Sequence, residues 1–296
     1  MNEKTVFVDG ETLSITDVYM VAHHHVKVEV ATNAWPKILE ARSVVERIVR
    51  GDETVYGVNT GFGSFVNTKI SNEDVRTLQI NLIRSHATAI GEPMKPEEVR
   101  AMMLIRLNSL CKGYSGVHPD VITQIVEFLN LNIVPYVPRI GSLGASGDLA
   151  PLSHVALSLI GEGHVLFEGK KCTTQEILRE HGLIGVELRA KDGLSLINGT
   201  SQMTGYLSLS AHMLKQMLPL ADVIYCASLD ASEGSSTPLR EEVHAVRPHP
   251  GQQIVASRMR TILASSEIID SHKNCDRVQD PYSYPVSYTH LRAHET

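Results

Sequence analysis

Apolar positions along most of this chain recur with the spacing of α-helices. In the segment that begins at Pro96, for example, Met103, Leu107 and Leu110 lie four and three residues apart, which places them on one face of a helix. Proline or a capping residue opens several of these segments and glycine follows several, as is typical of helix ends. Helices are predicted over residues 15–24, 34–50, 72–90, 96–112, 119–130, 149–159, 174–181, 202–227 and 251–264.

Extended segments are few and short. Residues 5–8 predict a strand before an Asp-Gly turn, residues 56–63 a strand that enters a glycine-rich loop, and residues 164–173 a hairpin. The pattern therefore predicts a mainly α fold. Residues 1–110 are expected to form a small α+β region, and residues 111–283 a second glycine-rich loop with part of a helical bundle.

Composition excludes several classes of function. The chain has 296 residues with 43% hydrophobic content, which is enough for a sizeable core, and its net charge of −6 offers no basic surface for nucleic acid. Four cysteines are scattered without paired spacing, which favours a reducing cytoplasm over a disulfide framework. Met1 is followed by no apolar leader, and no apolar run reaches the length of a membrane span. We expect a cytoplasmic protein that binds neither nucleic acid nor membrane.

The most distinctive chemistry lies in the loop at residues 141–151. The amide nitrogen of Gly147 could attack the carbonyl of Ala145, because glycine lacks a Cβ and tolerates unusual backbone angles. Loss of the Ser146 hydroxyl as water would then leave an exocyclic methylidene, an electrophile that no ordinary side chain provides. Two simpler interpretations stay open: a phosphate-binding loop ahead of a helix, and a turn with Asp148 as the helix N-cap.

Longer stretches place this loop in a known family. Residues 144–154, Gly-Ala-Ser-Gly-Asp-Leu-Ala-Pro-Leu-Ser-His, resemble the signature of the aromatic amino acid ammonia-lyases. Within that family, His86 with the serine before it and the run at 271–276 are most similar to the histidine ammonia-lyases. Three further stretches agree with the family in order and spacing: residues 56–63, 198–200 and 278–283.

The resemblance implies a prosthetic group, a fold and an assembly. Ala145, Ser146 and Gly147 would become 4-methylideneimidazol-5-one (MIO) autocatalytically. The fold would be a long helical bundle of the L-aspartase and fumarase superfamily. The assembly would be a homotetramer whose sites are built from three subunits. No metal is implied, and the three successive histidines at 23–25 point in different directions on a helix, which does not suit a metal site.

The resemblance also assigns roles to individual side chains. Tyr56 would be the general base that takes the β-proton of the substrate. His86 would bind the imidazole of a histidine substrate, because one imidazole can hydrogen-bond to another. Asn198, Gln279 and Tyr282 would orient the ring and the substrate, with Gln279 and Tyr282 partly supplied by a neighbouring subunit.

The implied reaction is the non-oxidative elimination of ammonia from L-histidine to give trans-urocanate, a step of histidine degradation. One alternative is a tyrosine or phenylalanine ammonia-lyase or aminomutase, in which an apolar residue would be expected at the position of His86. The other alternative is a non-catalytic oligomerising or phosphate-binding module.

The family pattern stops after Ser283. Tyr284 and Pro285 stand where the family has Leu-Arg, and that arginine binds the substrate carboxylate. Residues 284–296 resemble translated adaptor sequence and not a native tail. We therefore expect a truncated chain that is inactive alone.

Overall fold

A computed structural model describes residues 5–61, 70, 72–271 and 280 of the chain. Gln279, Tyr282 and the tail predicted at 284–296 lie outside the described residues. Helices make up 58% of the structure, which confirms the mainly α fold. They are α1 (Ile15–His24), α2 (Trp35–Arg50), α3 (Asn72–His86), α4 (Pro96–Cys111), α5 (Pro119–Asn130), α6 (Leu149–Leu159), α7 (Thr174–Glu180), α8 (Asp192–Ile197), α9 (Ser201–Ala231), α10 (Glu241–Ala245), α11 (Pro250–Leu263) and α12 (Glu267–Ser271), with a 3-10 helix at Thr237–Leu239.

In the described part of the chain the strands are β1 (Thr5–Val8), β2 (Lys27–Val30), β3 (Ile90–Pro93), β4 (Val134–Pro135), β5 (Pro138–Ile140), β6 (His164–Phe167) and β7 (Lys170–Thr173). They form three small sheets. β1 and β2 pair in parallel, with Thr5 opposite Lys27. β3 and β5 pair antiparallel, and β4, β6 and β7 form an antiparallel sheet whose centre is β6.

Two sequence-based expectations are wrong in detail. The described start of the stretch at 56–63 forms a turn and not a strand. Gly57 has a positive φ of 74°, and the side-chain amide of Asn59 bonds back to the residues before the turn. Asn59 Oδ1 accepts from the Val55 amide over 2.8 Å and its Nδ2 donates to the Glu53 carbonyl over 2.8 Å. The helix predicted over 72–90 ends at residue 86, because β3 begins at residue 90 and pairs with β5.

The chain divides into two compact units after His212, and the domain boundary predicted at residue 110 stays a prediction. The first unit is built around α4, against which α1 and α5 pack. This helix is buried on nearly all sides and includes buried Met102, Met103, Leu104 and Leu107, as expected for a helix at the centre of a core.

The second unit has a small core of its own. Cys226 and Leu229 of α9 pack there with Val255 and Met259 of α11 and with Leu239. On α9, other apolar side chains of this unit are more than half exposed: Met213, Leu214, Met217, Leu220 and Ile224. No described helix of either unit is both long and apolar enough to cross a membrane.

Candidate active site

The loop after β5 bends back on itself at residues 144–147. Backbone bridges join Gly144 to Gly147 and Ala145 to Gly147. Both glycines have positive φ angles, 73° and 78°, which L-residues with a side chain rarely adopt. Ser146 lies at the exposed tip of the turn. The carbonyl of Ala145 and the amide of Gly147 thus belong to one tight turn, as ring closure requires.

Gly147 lies directly against Gly199. A Cβ built on Gly147 would fall on the carbonyl group of Gly199, and a parallel bridge joins the two residues. The next amide, that of Asp148, donates to the Gly199 carbonyl over 2.7 Å. Any side chain at position 147 would break this contact. The residues Ala145, Ser146 and Gly147 therefore fit the MIO group, in both their types and their backbone.

Asp148 occupies the N-cap position of α6, as expected, but its carboxylate caps another helix. It makes no cap hydrogen bond to α6. One oxygen accepts from the amides of Gln202 (2.8 Å) and Met203 (3.1 Å) at the start of α9, and the other accepts from Ser142 Oγ over 2.9 Å. The carboxylate is fully buried and is stabilised by the amides and dipole at this helix start. Its negative charge argues against a phosphate-binding loop.

Two cations contact Ser195 of α8. Arg106 of α4 is only 5% exposed, and its Nη2 donates to the Ser195 carbonyl. Nearby, Lys191 Nζ donates to the Ser115 carbonyl. Burial lowers the pKa of Arg106 to about 10, and burial together with the charge of Arg106 lowers the pKa of Lys191. Both positive charges therefore contact helix α8, whose C-cap is Asn198.

Helix α8 carries Asn198 to a position beside the bent turn. A buried carboxylate, Asp192, fixes the start of this helix by accepting from Arg42 Nη1 (3.1 Å) and from the amides of His118 (2.8 Å) and Arg189 (2.7 Å). Burial raises the pKa of Asp192 to about 6, against the effect of these hydrogen bonds. Asn198 is exposed at the other end of the helix. Since Gly199 touches Gly147, the structure brings Asn198 next to the turn.

Tyr56 lies on the surface turn described above and is 58% exposed. Its neighbour Gly57 packs against Leu194 of α8. The same helix therefore contacts the turn that carries Tyr56 and has Asn198 as its C-cap. Tyr56 lines a cavity of about 630 Å³, as does Lys191. None of the other described candidate residues lines this cavity. The cavity thus does not bring Tyr56 together with the bent turn at residues 144–147, and the role of Tyr56 as a base stays a prediction.

His86 is the last residue of α3. Its Nδ1 lies 2.8 Å from the Leu82 carbonyl oxygen and 3.0 Å from Ser85 Oγ. Because a carbonyl oxygen can only accept, Nδ1 carries a proton, and Nε2 of the neutral ring is a hydrogen-bond acceptor. The residue thus bonds to the last turn of its helix, as many C-terminal histidines do, and its Nε2 has no hydrogen bond to a described residue.

His154 of α6 bonds to the segment that follows His86. Its Nε2 accepts from the amide of Ala89 over 3.2 Å, three residues after His86. Gly141, at the start of the loop, leaves room for the same alanine, because a Cβ there would lie 2.6 Å from Ala89 Cβ. The segment just after α3 is therefore packed against both the loop, at Gly141, and helix α6, at His154. Burial lowers the pKa of His154.

This contact predicts a pH-dependent stability. A histidine whose pKa is lowered by folding stabilises the fold fully above its ordinary value of 6.5 and less as the pH falls below it, because the unfolded chain binds the proton first. We expect the free energy of unfolding to fall between pH 7 and pH 5 more steeply in the wild type than in His154→Gln, since glutamine keeps an acceptor and does not titrate. Urea unfolding at both pH values measures this difference.

A second variant tests the hydrogen bond itself. His154→Leu leaves the buried Ala89 amide without an acceptor and is expected to lose about 1–3 kcal/mol at pH 7. If the free energy of unfolding depends on pH equally in the wild type and in His154→Gln, protonation of His154 does not destabilise the fold.

Sequence reasoning missed several of these residues. Arg106 is on the apolar stripe of α4, three residues after Met103 and four before Leu110, and a charge on an apolar face is a signal that it is buried for a reason. His154 stands inside the apolar helix α6 in the same way. Within the described residues, no group of three or more histidine, cysteine or acidic side chains could hold a metal ion.

The fold and the bent turn define a class: mainly helical proteins that present an Ala-Ser-Gly turn suited to cyclisation. Residues 13–287 match the family model described as aromatic amino acid lyase. The chain belongs to the aromatic amino acid lyase family.

Individual relatives agree with this. The histidine ammonia-lyase of Myxococcus xanthus (strain DK1622) is 42% identical over 283 residues, which are 96% of this chain and 56% of that enzyme. The crystal structure of histidine ammonia-lyase from Trypanosoma cruzi is 35% identical with a TM-score of 0.88, over 98% of this chain and 54% of that one. Tyrosine aminomutase from Streptomyces globisporus is 36% identical with a TM-score of 0.91, over 98% and 58%. The chain spans about half the length of these relatives.

Proposed function

We propose that the protein is a histidine ammonia-lyase, which eliminates ammonia from L-histidine to give trans-urocanate. The observation that carries the proposal is the turn at residues 145–147, bent on itself and pressed on Gly199 where a side chain would not fit. The relatives named histidine ammonia-lyase, at about 42% identity, support the choice of substrate. Aminomutases of the same fold make tyrosine the main alternative.

The residues of this chain would divide the work as follows. MIO, formed from Ala145, Ser146 and Gly147, supplies an electrophile that makes the substrate amine a better leaving group. His86 accepts the N–H of the substrate imidazole at Nε2, and Asn198 donates its amide to the substrate carboxylate. Tyr56 removes the β-proton, a step in which a positioned base typically contributes about 10²–10⁴ in rate.

The charges near these residues support the proposal. Lys191 lines the same cavity as Tyr56. The N-terminus of α6, which begins at residue 149, adds a partial positive charge next to the turn.

The assembly and location belong to the same proposal. A homotetramer would bring Gln279 and Tyr282 of one subunit to the site of another. Among the described cysteines, Cys111, Cys172 and Cys226 are free thiols, which suits a reducing cytoplasm.

The function is tested in a chimera, because the chain spans about half the length of its relatives. Residues 1–283 are joined to the second half of the Myxococcus xanthus relative, and urocanate formation and oligomer size are measured beside the 296-residue chain. We expect the chimera to form a tetramer that produces urocanate, and the 296-residue chain to do neither. A chimera that acts on tyrosine or phenylalanine and not on histidine would support the alternative, and a stable chimera without activity on any of the three would contradict the proposal.

His86 is predicted to select histidine. In His86→Leu the substrate imidazole loses its hydrogen-bond partner, which costs about 1–3 kcal/mol for an unpaired buried polar group. We expect kcat/KM for histidine to fall by about 10- to 100-fold, since 1.4 kcal/mol is tenfold, with no equal loss for tyrosine or phenylalanine. Steady-state assays of the chimera with all three amino acids measure this.

The matched control is Ser85→Ala. Ser85 Oγ donates to the same Leu82 carbonyl over 2.9 Å, so this variant disturbs the end of α3 without removing the imidazole. If His86→Leu lowers turnover of all three amino acids alike, His86 is a structural residue.

A further inference from the structure

We infer that Arg106 is a positioning residue for ring closure: it holds Gly199 against Gly147, so that residues 145–147 keep the bend from which MIO forms. The inference rests on the proposed function, because ring closure is part of it. It adds a residue of α4, distant in sequence from the turn, to the group that prepares the turn for its chemistry.

Helix α4 contains two buried arginines that differ in their partners. Arg100 is fully satisfied: Nε and Nη2 donate to the Val21 carbonyl over 3.1 and 2.8 Å, and Nη1 donates to the Leu129 carbonyl and to Asn132 Oδ1. Its contacts join α4 to α1 and to the end of α5, which is a structural role. Burial lowers its pKa to about 10, as for Arg106.

Arg106 has fewer partners than its burial would require. Its Nη2 donates to the Ser195 carbonyl, and its Nε is buried without a hydrogen-bond partner in the described part of the chain. No ion pair within 4.0 Å joins it to a described carboxylate. A buried guanidinium with an unpaired N–H destabilises a fold. Its position therefore has to be explained by something other than a gain in stability.

The contact that distinguishes Arg106 is the one with Gly199. A Cβ built on Gly199 would lie 2.5 Å from Arg106 Nη1, so the guanidinium fills the space that a side chain would take. Gly199 in turn touches Gly147 and accepts from the Asp148 amide. Direct contacts therefore run from Arg106 through Gly199 to Gly147, whose amide nitrogen would close the ring.

Ring closure itself needs only that the turn be held. Gly147 N bonds to the carbonyl carbon of Ala145, whose oxygen leaves as water with the amide hydrogens of Gly147 and Ser146. A double bond remains between Ala145 C and Ser146 N. The hydroxyl of Ser146 leaves as a second water with its Hα. The step needs no oxidant or reductant, and the chain becomes lighter by two water molecules.

The geometry of arginine suits this role and that of lysine does not. The planar fork of Arg106 reaches the Ser195 carbonyl with one nitrogen and Gly199 with the other, whereas an ammonium group is a single point of contact. Arg106→Lys therefore keeps the charge and loses half of the contact, and Arg106→Gln loses the charge as well.

The test uses the chimera described above, in which residues 1–283 continue into the second half of the relative, with two readouts. Intact mass gives the fraction of chains that have lost two waters, and hydrogen exchange gives the protection of the Asp148 amide. We expect Arg106→Gln to raise exchange at Asp148 by about tenfold and to lower the ring fraction several-fold, with Arg106→Lys between it and the wild type. Arg100→Lys, the control on the same helix, should destabilise the protein in urea, because it loses hydrogen bonds of a fully bonded guanidinium, and should keep the ring fraction of the wild type.

The outcomes separate the inference from the proposed function. A wild-type chimera that keeps both waters would overturn the two together. A wild-type chimera that loses them, with unchanged exchange at Asp148 or an unchanged ring fraction in Arg106→Gln, would overturn the role of Arg106 alone. The same holds if Arg100→Lys lowers the ring fraction as much, because a general loss of stability would then explain both variants.

Discussion

Replacing Ser146 by alanine is expected to abolish elimination completely while leaving the fold intact. Without a β-hydroxyl no methylidene can form, because the second water of the ring-forming reaction comes from this side chain. Ser146 is exposed at the tip of the turn, so the substitution should change the free energy of unfolding by no more than about 0.5 kcal/mol. Urocanate assays and intact mass of the chimera measure the loss of the electrophile, and urea unfolding of the same protein measures the stability.

Ser142→Ala is the control for this experiment. Ser142 belongs to the same loop, and its hydroxyl donates to Asp148 over 2.9 Å, so its loss weakens the loop slightly without touching the reacting atoms. We expect it to keep the loss of two waters and most of the activity. Normal turnover in Ser146→Ala, or insensitivity of the wild type to nucleophiles such as cyanide and borohydride, would end the hypothesis of an electrophilic ring.

Much of the fold could be predicted because it is local. The stripe of apolar residues in α4 and the proline at its start define that helix, and Thr173 with Glu176 forms the capping box that begins α7. The turn at 145–147 was found for the same reason, since its chemistry depends on three successive residues. In each case the interaction that decides the structure joins residues a few positions apart.

The parts that could not be predicted join residues far apart in the chain. Asp148 bonds to the start of α9 across 54 residues, Arg106 to Ser195 across 89 and His154 to Ala89 across 65. Periodicity gives the face of a helix but not the element that packs on it. From the sequence, an aspartate before a helix is predicted to cap that helix. In the structure, the Asp148 carboxylate caps α9 and makes no cap hydrogen bond to α6.

Asp148→Ala is predicted to have the largest effect on stability. The substitution leaves the amides of Gln202 and Met203 unpaired at the start of α9, and it removes the acceptor of Ser142 Oγ. Loss of a helix cap costs about 0.5–2 kcal/mol, and a buried unsatisfied donor about 1–3 kcal/mol. We therefore expect a loss of about 3 kcal/mol in the free energy of unfolding, measured in urea, together with a lower ring fraction by intact mass.

Two further variants decide whether the position or the charge of Asp148 matters. Asp148→Asn keeps an oxygen for the amides of α9 and loses the interaction of a charge with the helix dipole, which is worth up to about 2 kcal/mol when buried. The free energy of unfolding of Asp148→Asn should therefore lie between those of the wild type and of Asp148→Ala. Thr173→Ala removes a surface cap of α7 and should cost only about 1 kcal/mol without changing the ring fraction. If Asp148→Ala is no less stable than Thr173→Ala, the carboxylate does not hold the loop to α9, and the bend at 145–147 must be maintained by Gly199 and Arg106 alone.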